Sequence, residues 1–179
     1  MISRLTIVLL LGGSSLLHAQ ANPTASRSGD LQIGAGYTIA KPDYGQQSFH
    51  GFAAYVDFDR RSHLGLEAEF HQVSSPNSDQ SYQRTYEVGG RYFRTCGSLV
   101  PYLKAMIGRG DFNYPFGFTD LAYTLYAGGI GADYKLGPRL RLRGEYEIQS
   151  WSGFSNGGLT PQLVTFGVAY HFTGKPRFK

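Results

Sequence analysis

The chain has 179 residues, of which 13 are Tyr, 12 Phe, 24 Gly and one Trp, and charged residues make up only 17%. That length suits a single domain, and a mean hydropathy of −0.26 speaks against a bundle of membrane helices. The formal net charge is +4 and the pI about 9.2, but no basic run interleaved with aromatics occurs, so no nucleic-acid partner is expected. The lone Cys96 rules out an intramolecular disulfide and any cysteine-based metal cluster.

The chain opens with the pattern of an export signal. Arg4 supplies a positive n-region, Leu5 to Leu11 a short apolar stretch, and Ala19-Gln20-Ala21 a small-residue cleavage site, so residues 1–21 are expected to be a removable signal peptide. A membrane anchor would need about 20 apolar residues, and Gly12-Gly13-Ser14-Ser15 interrupts the run too early. Residues 22–29 read as a polar periplasmic linker.

From there a period of two takes over and never yields to a helical one. Asp30–Ala40 sets Leu31, Ile33, Ala35, Tyr37 and Ile39 against Gln32, Gly34, Gly36 and Thr38. Gly51–Asp59 sets Phe52, Ala54, Val56 and Phe58 against Ala53, Tyr55 and Asp57. Leu64–Val73 and Tyr82–Arg94 continue, with Glu67, Glu69 and His71, then Glu87 and Arg91, on the polar face. Val100–Gly110 opposes Leu103, Ala105 and Ile107 to Lys104, Met106 and Gly108. Ala122–Lys135 is less regular but opposes Ile130, Ala132 and Tyr134 to Gly129, Gly131 and Asp133. Arg139–Trp151 places Arg141, Arg143, Glu145 and Glu147 on one face, and Gln162–Phe172 closes the series. Segments of about ten residues are long enough to cross a bilayer at a tilt.

The connectors alternate in length. Arg60–His63, Thr95–Leu99 and Leu136–Pro138 are short, whereas Lys41–His50, Ser74–Ser81, Asp111–Leu121 and Ser152–Pro161 are longer. The expected architecture is therefore all-β: an eight-stranded antiparallel up-and-down transmembrane β-barrel over residues 30–172, with short periplasmic turns and longer external loops. Both termini then lie in the periplasm, with residues 173–179 as a periplasmic tail. Arg60, Arg61, Arg94, Lys135, Arg139, Lys175, Arg177 and Lys179 collect at the turn end, where they can meet anionic headgroups.

A soluble ligand-carrying barrel would also alternate, with its apolar face inward. The polar face here is rich in Gly, Ala and Thr, which suits a crowded interior. Aromatics gather near strand ends: Tyr37, Tyr82, Tyr86, Phe112, Tyr114, Phe116, Phe118, Tyr123, Tyr126 and Trp151 towards the loops, and Phe58, Tyr92, Tyr134, Tyr170 and Phe172 towards the turns. Two such girdles mark the two interfaces of a bilayer.

The last strand carries Thr165-x-Gly167-x-x-Tyr170-x-Phe172. This resembles the terminal recognition signal of outer-membrane barrels, although those chains usually stop at the aromatic and a tail follows here. Together with Pro101-Tyr102-Leu103-Lys104, Gly128-Gly129-Ile130-Gly131-Ala132-Asp133-Tyr134 and Arg143-x-Glu145-Tyr146, it makes the chain similar to the outer-membrane β-barrel superfamily of the OmpA transmembrane domain and the OmpX-type small barrels. The resemblance implies outer-membrane residence, reading of the last strand by the barrel-assembly machinery, and lipopolysaccharide and phospholipid as partners. It also implies an ionic ladder across the lumen at Glu67, Glu87, Lys104, Asp133, Arg143 and Glu145. Glu87 departs from the relatives, which tend to carry a base there.

By phase alone, the lumen receives Asp57, Glu67, Glu69, Glu87, Asp133, Glu145 and Glu147 with Arg91, Lys104, Arg141 and Arg143, seven acids to four bases. An eight-stranded lumen is just filled by side chains, so these groups must pair or be hydrated. The expected role is non-enzymatic, in envelope integrity or surface interaction, with the lumen plugged by this network. A narrow channel, weakly cation-preferring, is the alternative. A lipid A-modifying enzyme is a weaker one: Ser152-Gly153-Phe154-Ser155-Asn156-Gly157-Gly158 faintly resembles a deacylase His-x-Ser-Asn motif, but Gly153 stands where the His would take the serine proton. The i, i+2 carboxylate pairs would lie in a lumen closed to a glycan. His50, His63, His71 and His171 are isolated in sequence. Loop 111–121, dense in aromatics, is the candidate contact for an extracellular ligand. No cofactor and no metal are expected, since no H-E-x-x-H, C-x-x-C or EF-hand spacing occurs.

Overall fold

The computed structural model describes residues 29–43, 47–60, 63–76, 81–113, 121–153 and 158–172. The expected signal peptide, residues 22–28 of the linker, the tail, Arg61, Tyr114, Phe116, Phe118 and the Ser155-Asn156-Gly157 stretch lie outside them.

Eight strands run in sequence: β1 Gly29–Lys41, β2 Phe49–Arg60, β3 Leu64–Ser74, β4 Tyr82–Phe93, β5 Leu99–Asn113, β6 Leu121–Lys135, β7 Leu140–Ser152 and β8 Gln162–Phe172. Each pairs antiparallel with the next, and β1 pairs with β8 from Leu31↔Phe172 to Lys41↔Gln162, so the sheet closes on itself. Closure leaves no unpaired sheet edge, the condition for a β-structure to cross a hydrocarbon layer. The turn end is tight. His63 takes a left-handed backbone (φ 65°), and Cys96 and Leu99 pair across the β4–β5 turn.

The apolar phase faces outward. Leu66 is 64% exposed and Phe166 61%, with Val88, Leu103, Ile107 and Ile130 in the same band. An apolar belt around the whole barrel has no match in a water-soluble domain and belongs against lipid. Tyr37, Tyr86 and Tyr126 stand at its loop side, and Phe58, Tyr92, Tyr134, Tyr170 and Phe172 at its turn side.

Two expectations need correction. Trp151 and Tyr123 are not part of the outer girdle: Trp151 is 1% exposed in the lumen, and Tyr123 packs against it there. Their odd positions share the inward phase of Leu125 and Gln149, a signal that counting aromatics near strand ends overrides. Nor does the chain leave the sheet at Asp111, since Asp111, Phe112 and Asn113 still pair with Arg84, Gln83 and Tyr82. Asn113 is a common turn residue, but the ladder to β4 carries the strand past Asp111.

The lumen is layered. At the loop end, Ala40, Phe49, Val73 and Leu163 form one apolar cluster, and Met106, Leu125, Ala127 and Trp151 form another. The indole lies over Gly110, where an added Cβ would stand 2.4 Å from a ring carbon, so β5 needs glycine to admit it. Below these clusters the interior is ionic.

Candidate functional site

The ionic layer is assembled by phase. Asp57 on β2 is opposite Glu67 on β3, Arg91 on β4 opposite Lys104 on β5, and Asp133 on β6 opposite Arg143 on β7. Facing strands therefore deliver two like-charged pairs and one mixed pair to a narrow lumen, and the charges are balanced across it rather than along the sheet.

Two arginines organise the lower half. Arg143 reaches Asp57 at 2.5 Å through Nη2, Asp133 at 2.9 Å through Nε and Glu67 at 3.3 Å through Nη1. Arg91 reaches the same Asp57 at 2.7 Å, Asp133 at 3.0 Å and Glu67 at 3.4 Å, with Asp59 at 3.5 Å. Gln32 donates to Asp57 at 2.9 Å. The guanidinium of Arg143 stacks 3.9 Å from the centroid of the Tyr55 ring, and that of Arg91 lies 4.1 Å from the Tyr102 ring. Forked donors that also stack suit this dry, shared arrangement better than ammonium groups do.

Lys104 organises the upper half. Its Nζ lies 2.7 Å from Glu145, 2.6 Å from Glu147 and 3.5 Å from Glu67, and it also donates to Glu69. The Tyr102 hydroxyl donates to Glu145. His71, isolated in sequence, is not isolated in space: its Nε2 lies 3.2 Å from Glu69. Above them Gln149 donates to Glu147 at 2.8 Å and to Glu87 at 2.7 Å, and the Trp151 indole donates to Gln149 at 2.9 Å. Among the described residues the buried acids number eight, Asp59 joining the seven expected from phase, against four Arg and Lys. Removing one partner from such a cluster strands the others, at a cost of about 3–5 kcal/mol.

The sequence of the chain matches the family described as outer membrane protein beta-barrel domain over residues 6–172. The chain belongs to that family. It is an outer-membrane β-barrel. Among solved structures it is similar to neisserial surface protein A, with a TM-score of 0.65 at 15% identity over 81% of this chain and 97% of that one. It is also similar to the attachment invasion locus protein Ail of Yersinia pestis, with a TM-score of 0.55 at 20% identity over 81% and 99%. The N-terminal barrel domain of Pseudomonas aeruginosa OprF gives a TM-score of 0.56 at 11% identity over 80% and 99%. At these identities the likeness establishes the fold. No match was found among curated protein sequences.

Within this outer-membrane barrel, the residues expected in the lumen do not all meet. Asp57, Glu67, Glu69, Arg91, Lys104, Asp133, Arg143, Glu145 and Glu147 share ion pairs. Among the described residues Glu87 has no ion pair and is held by Thr85 at 2.7 Å and by Gln149, so a neutral amide stands beside it. Arg141 is buried at the turn end, apart from the rest, with no ion pair among the described residues. Tyr55 and Tyr102 were legible by phase, two residues from Asp57 and Lys104, but their stacking on the arginines appears only in three dimensions.

The terminal motif divides between faces. Thr165 is buried and bonds Thr38 at 2.9 Å across the closing seam, and a Cβ at Gly167 would lie 3.1 Å from the Tyr55 hydroxyl. Tyr170 and Phe172 face outward, their rings in edge contact at 4.9 Å. Among the described residues two groups have metal-ligand spacing, Glu69 with His71 and Glu147, and Glu67 with Glu69 and Glu145. Lys104 already lies against both, so the ammonium serves as their counter-charge.

Proposed function

We propose that this barrel is a non-enzymatic envelope protein whose lumen is sealed by side chains and whose work is done by its outer surface and loops. The observation that carries the reading is Lys104, in contact with four carboxylates beneath the apolar layer of Trp151 and Leu125. A cation held by several carboxylates is a barrier to ion movement rather than a path. In this reading the short turns face the periplasm, the long loops face outward, and the outer band contacts lipopolysaccharide and phospholipid. The barrel-assembly machinery reads Tyr170 and Phe172 on the last strand. Loop 111–121 is the place for an extracellular ligand.

Gly153 supports a non-enzymatic role. Its φ is 116°, a conformation that L side chains rarely adopt, and the Tyr123 ring would lie 3.1 Å from an added Cβ. A histidine in that backbone would be strained at the position where deacylase-like chemistry requires one.

Purified protein in planar bilayers tests the reading. The wild type is expected to give no discrete conductance steps. Reproducible steps in the wild type that change in size with Lys104→Ala or Arg143→Ala would replace the sealed lumen with a channel. The excess of buried acids would make such a channel cation-preferring.

A further inference from the structure

The turn end of the lumen opens into a crevice of about 300 Å³ lined in part by Asp30, Asp59, Arg60, His63, Lys135 and Arg141. Arg141 is only 8% exposed and makes neither a hydrogen bond nor an ion pair among the described residues. The acids facing it are shared with other bases: Asp59, which also feels the charge of Arg141, lies 3.5 Å from Arg91, and Asp30 lies 3.6 Å from His171. A guanidinium carries five donors in a fixed fork. None of the Arg141 nitrogens is both fully buried and without a partner, so the fork faces the open space of the crevice.

A second observation is independent of the first. Lys135 is the direct cross-strand partner of Arg141 on the β6–β7 ladder, both on the inward phase. Among the described residues the Lys135 ammonium reaches only the carbonyl of Gly97, at 3.4 Å. Like charges directly opposite one another destabilise a sheet, whereas every inward cation one layer deeper has carboxylates at hand. Two adjoining cations, one forked and one point-like, with exposed Arg60 at the rim, are short of a multidentate anion.

We propose that this crevice binds a phosphate-type oxyanion between Arg141 and Lys135. A fork accepts two oxygens of such a group and an ammonium a third. The volume admits a phosphate together with its water. The phosphate comes either from a phospholipid headgroup of the leaflet at the turn end or from free phosphate in the adjoining aqueous compartment. The site lies below the Lys104 layer and does not depend on whether the lumen conducts.

The test uses the barrel folded in dodecyl maltoside, a phosphate-free detergent, with folding verified by heat-modifiable gel mobility. One arm titrates inorganic phosphate by calorimetry. The other adds dioctanoyl phosphatidylglycerol to the micelles and counts bound lipid by native mass spectrometry. Saturable binding is expected in at least one arm, weakened about tenfold or more by Arg141→Gln and by Lys135→Gln. Arg139→Gln, which removes an exposed charge from the same end, is expected to leave binding unchanged. Binding of phosphate alone identifies a free anion, and binding of the lipid alone identifies a headgroup. Absence of saturable binding in both arms overturns the proposal, as does an equal loss in all three variants, which would reduce it to diffuse basic charge. Lys135→Gln carries the test if Arg141→Gln does not fold.

Discussion

Lys104 is the residue on which the upper lumen depends. It lies within 4.0 Å of Glu67, Glu69, Glu145 and Glu147, so its loss leaves those carboxylates facing one another. Lys104→Met is expected to lower stability in urea unfolding from micelles by about 3–5 kcal/mol. Adding Glu69→Gln and Glu147→Gln should recover part of that loss, because two of the stranded charges go with the cation. A triple variant no more stable than the single one would mean that the carboxylates do not depend on Lys104. Trp151 offers a second measurement at this scale, since it is the sole tryptophan and is 1% exposed inside the lumen. Its fluorescence is expected to resist quenching both by acrylamide and by brominated lipid. Efficient quenching by the lipid would place the indole in the outer girdle instead.

β8 shows how one strand serves two demands. Its inward residues belong to the finished barrel, with Thr165 bonded to Thr38 across the closing seam. Its outward aromatics face lipid. The two sets are therefore expected to separate by assay. Thr165→Val should cost the refolded barrel about 1 kcal/mol and leave its yield in the cell nearly unchanged. Phe172→Ala should cost no more than about 1 kcal/mol in the refolded barrel, yet sharply reduce the amount assembled in the outer membrane, read as the heat-modifiable band. Equal losses in both assays for both variants would refute a recognition role for the outward aromatics. The strand ends on β5 teach a related lesson, because Asp111 to Asn113 stay in register with β4. Local turn chemistry was overridden there by a neighbour's ladder.

At the scale of the molecule the remaining question is direction. Cys96 is exposed in the β4–β5 turn and is the only thiol, so it reports which side the turns face. A membrane-impermeant maleimide is expected to leave Cys96 unlabelled in intact cells and to label it once the outer membrane is permeabilised. Labelling of intact cells would invert the proposed topology and move the Arg141–Lys135 crevice to the outer face. The lipid-facing band, with Leu66 64% exposed, is the same in either orientation. Only the loops and the crevice change their surroundings.

The period-two pattern, read with the alternation of short and long connectors, determined the number of strands, their order and the face each residue takes. These follow from sequence because side-chain direction along a strand is a local property and a one-residue slip would expose the charges to lipid. The candidate site was legible as a membership and not as an arrangement. Asp57, Arg91 and Arg143 could be assigned to the lumen by phase, yet pairing depends on barrel stagger and on distances across a closed sheet. Tertiary structure alone brought His71 to Glu69, gave Glu87 the amide of Gln149 in place of a base, and seated the Trp151 indole over Gly110. It alone set Arg141 and Lys135 side by side in one crevice at the turn end. Each of these is a relation between strands distant in sequence, and no local period encodes it.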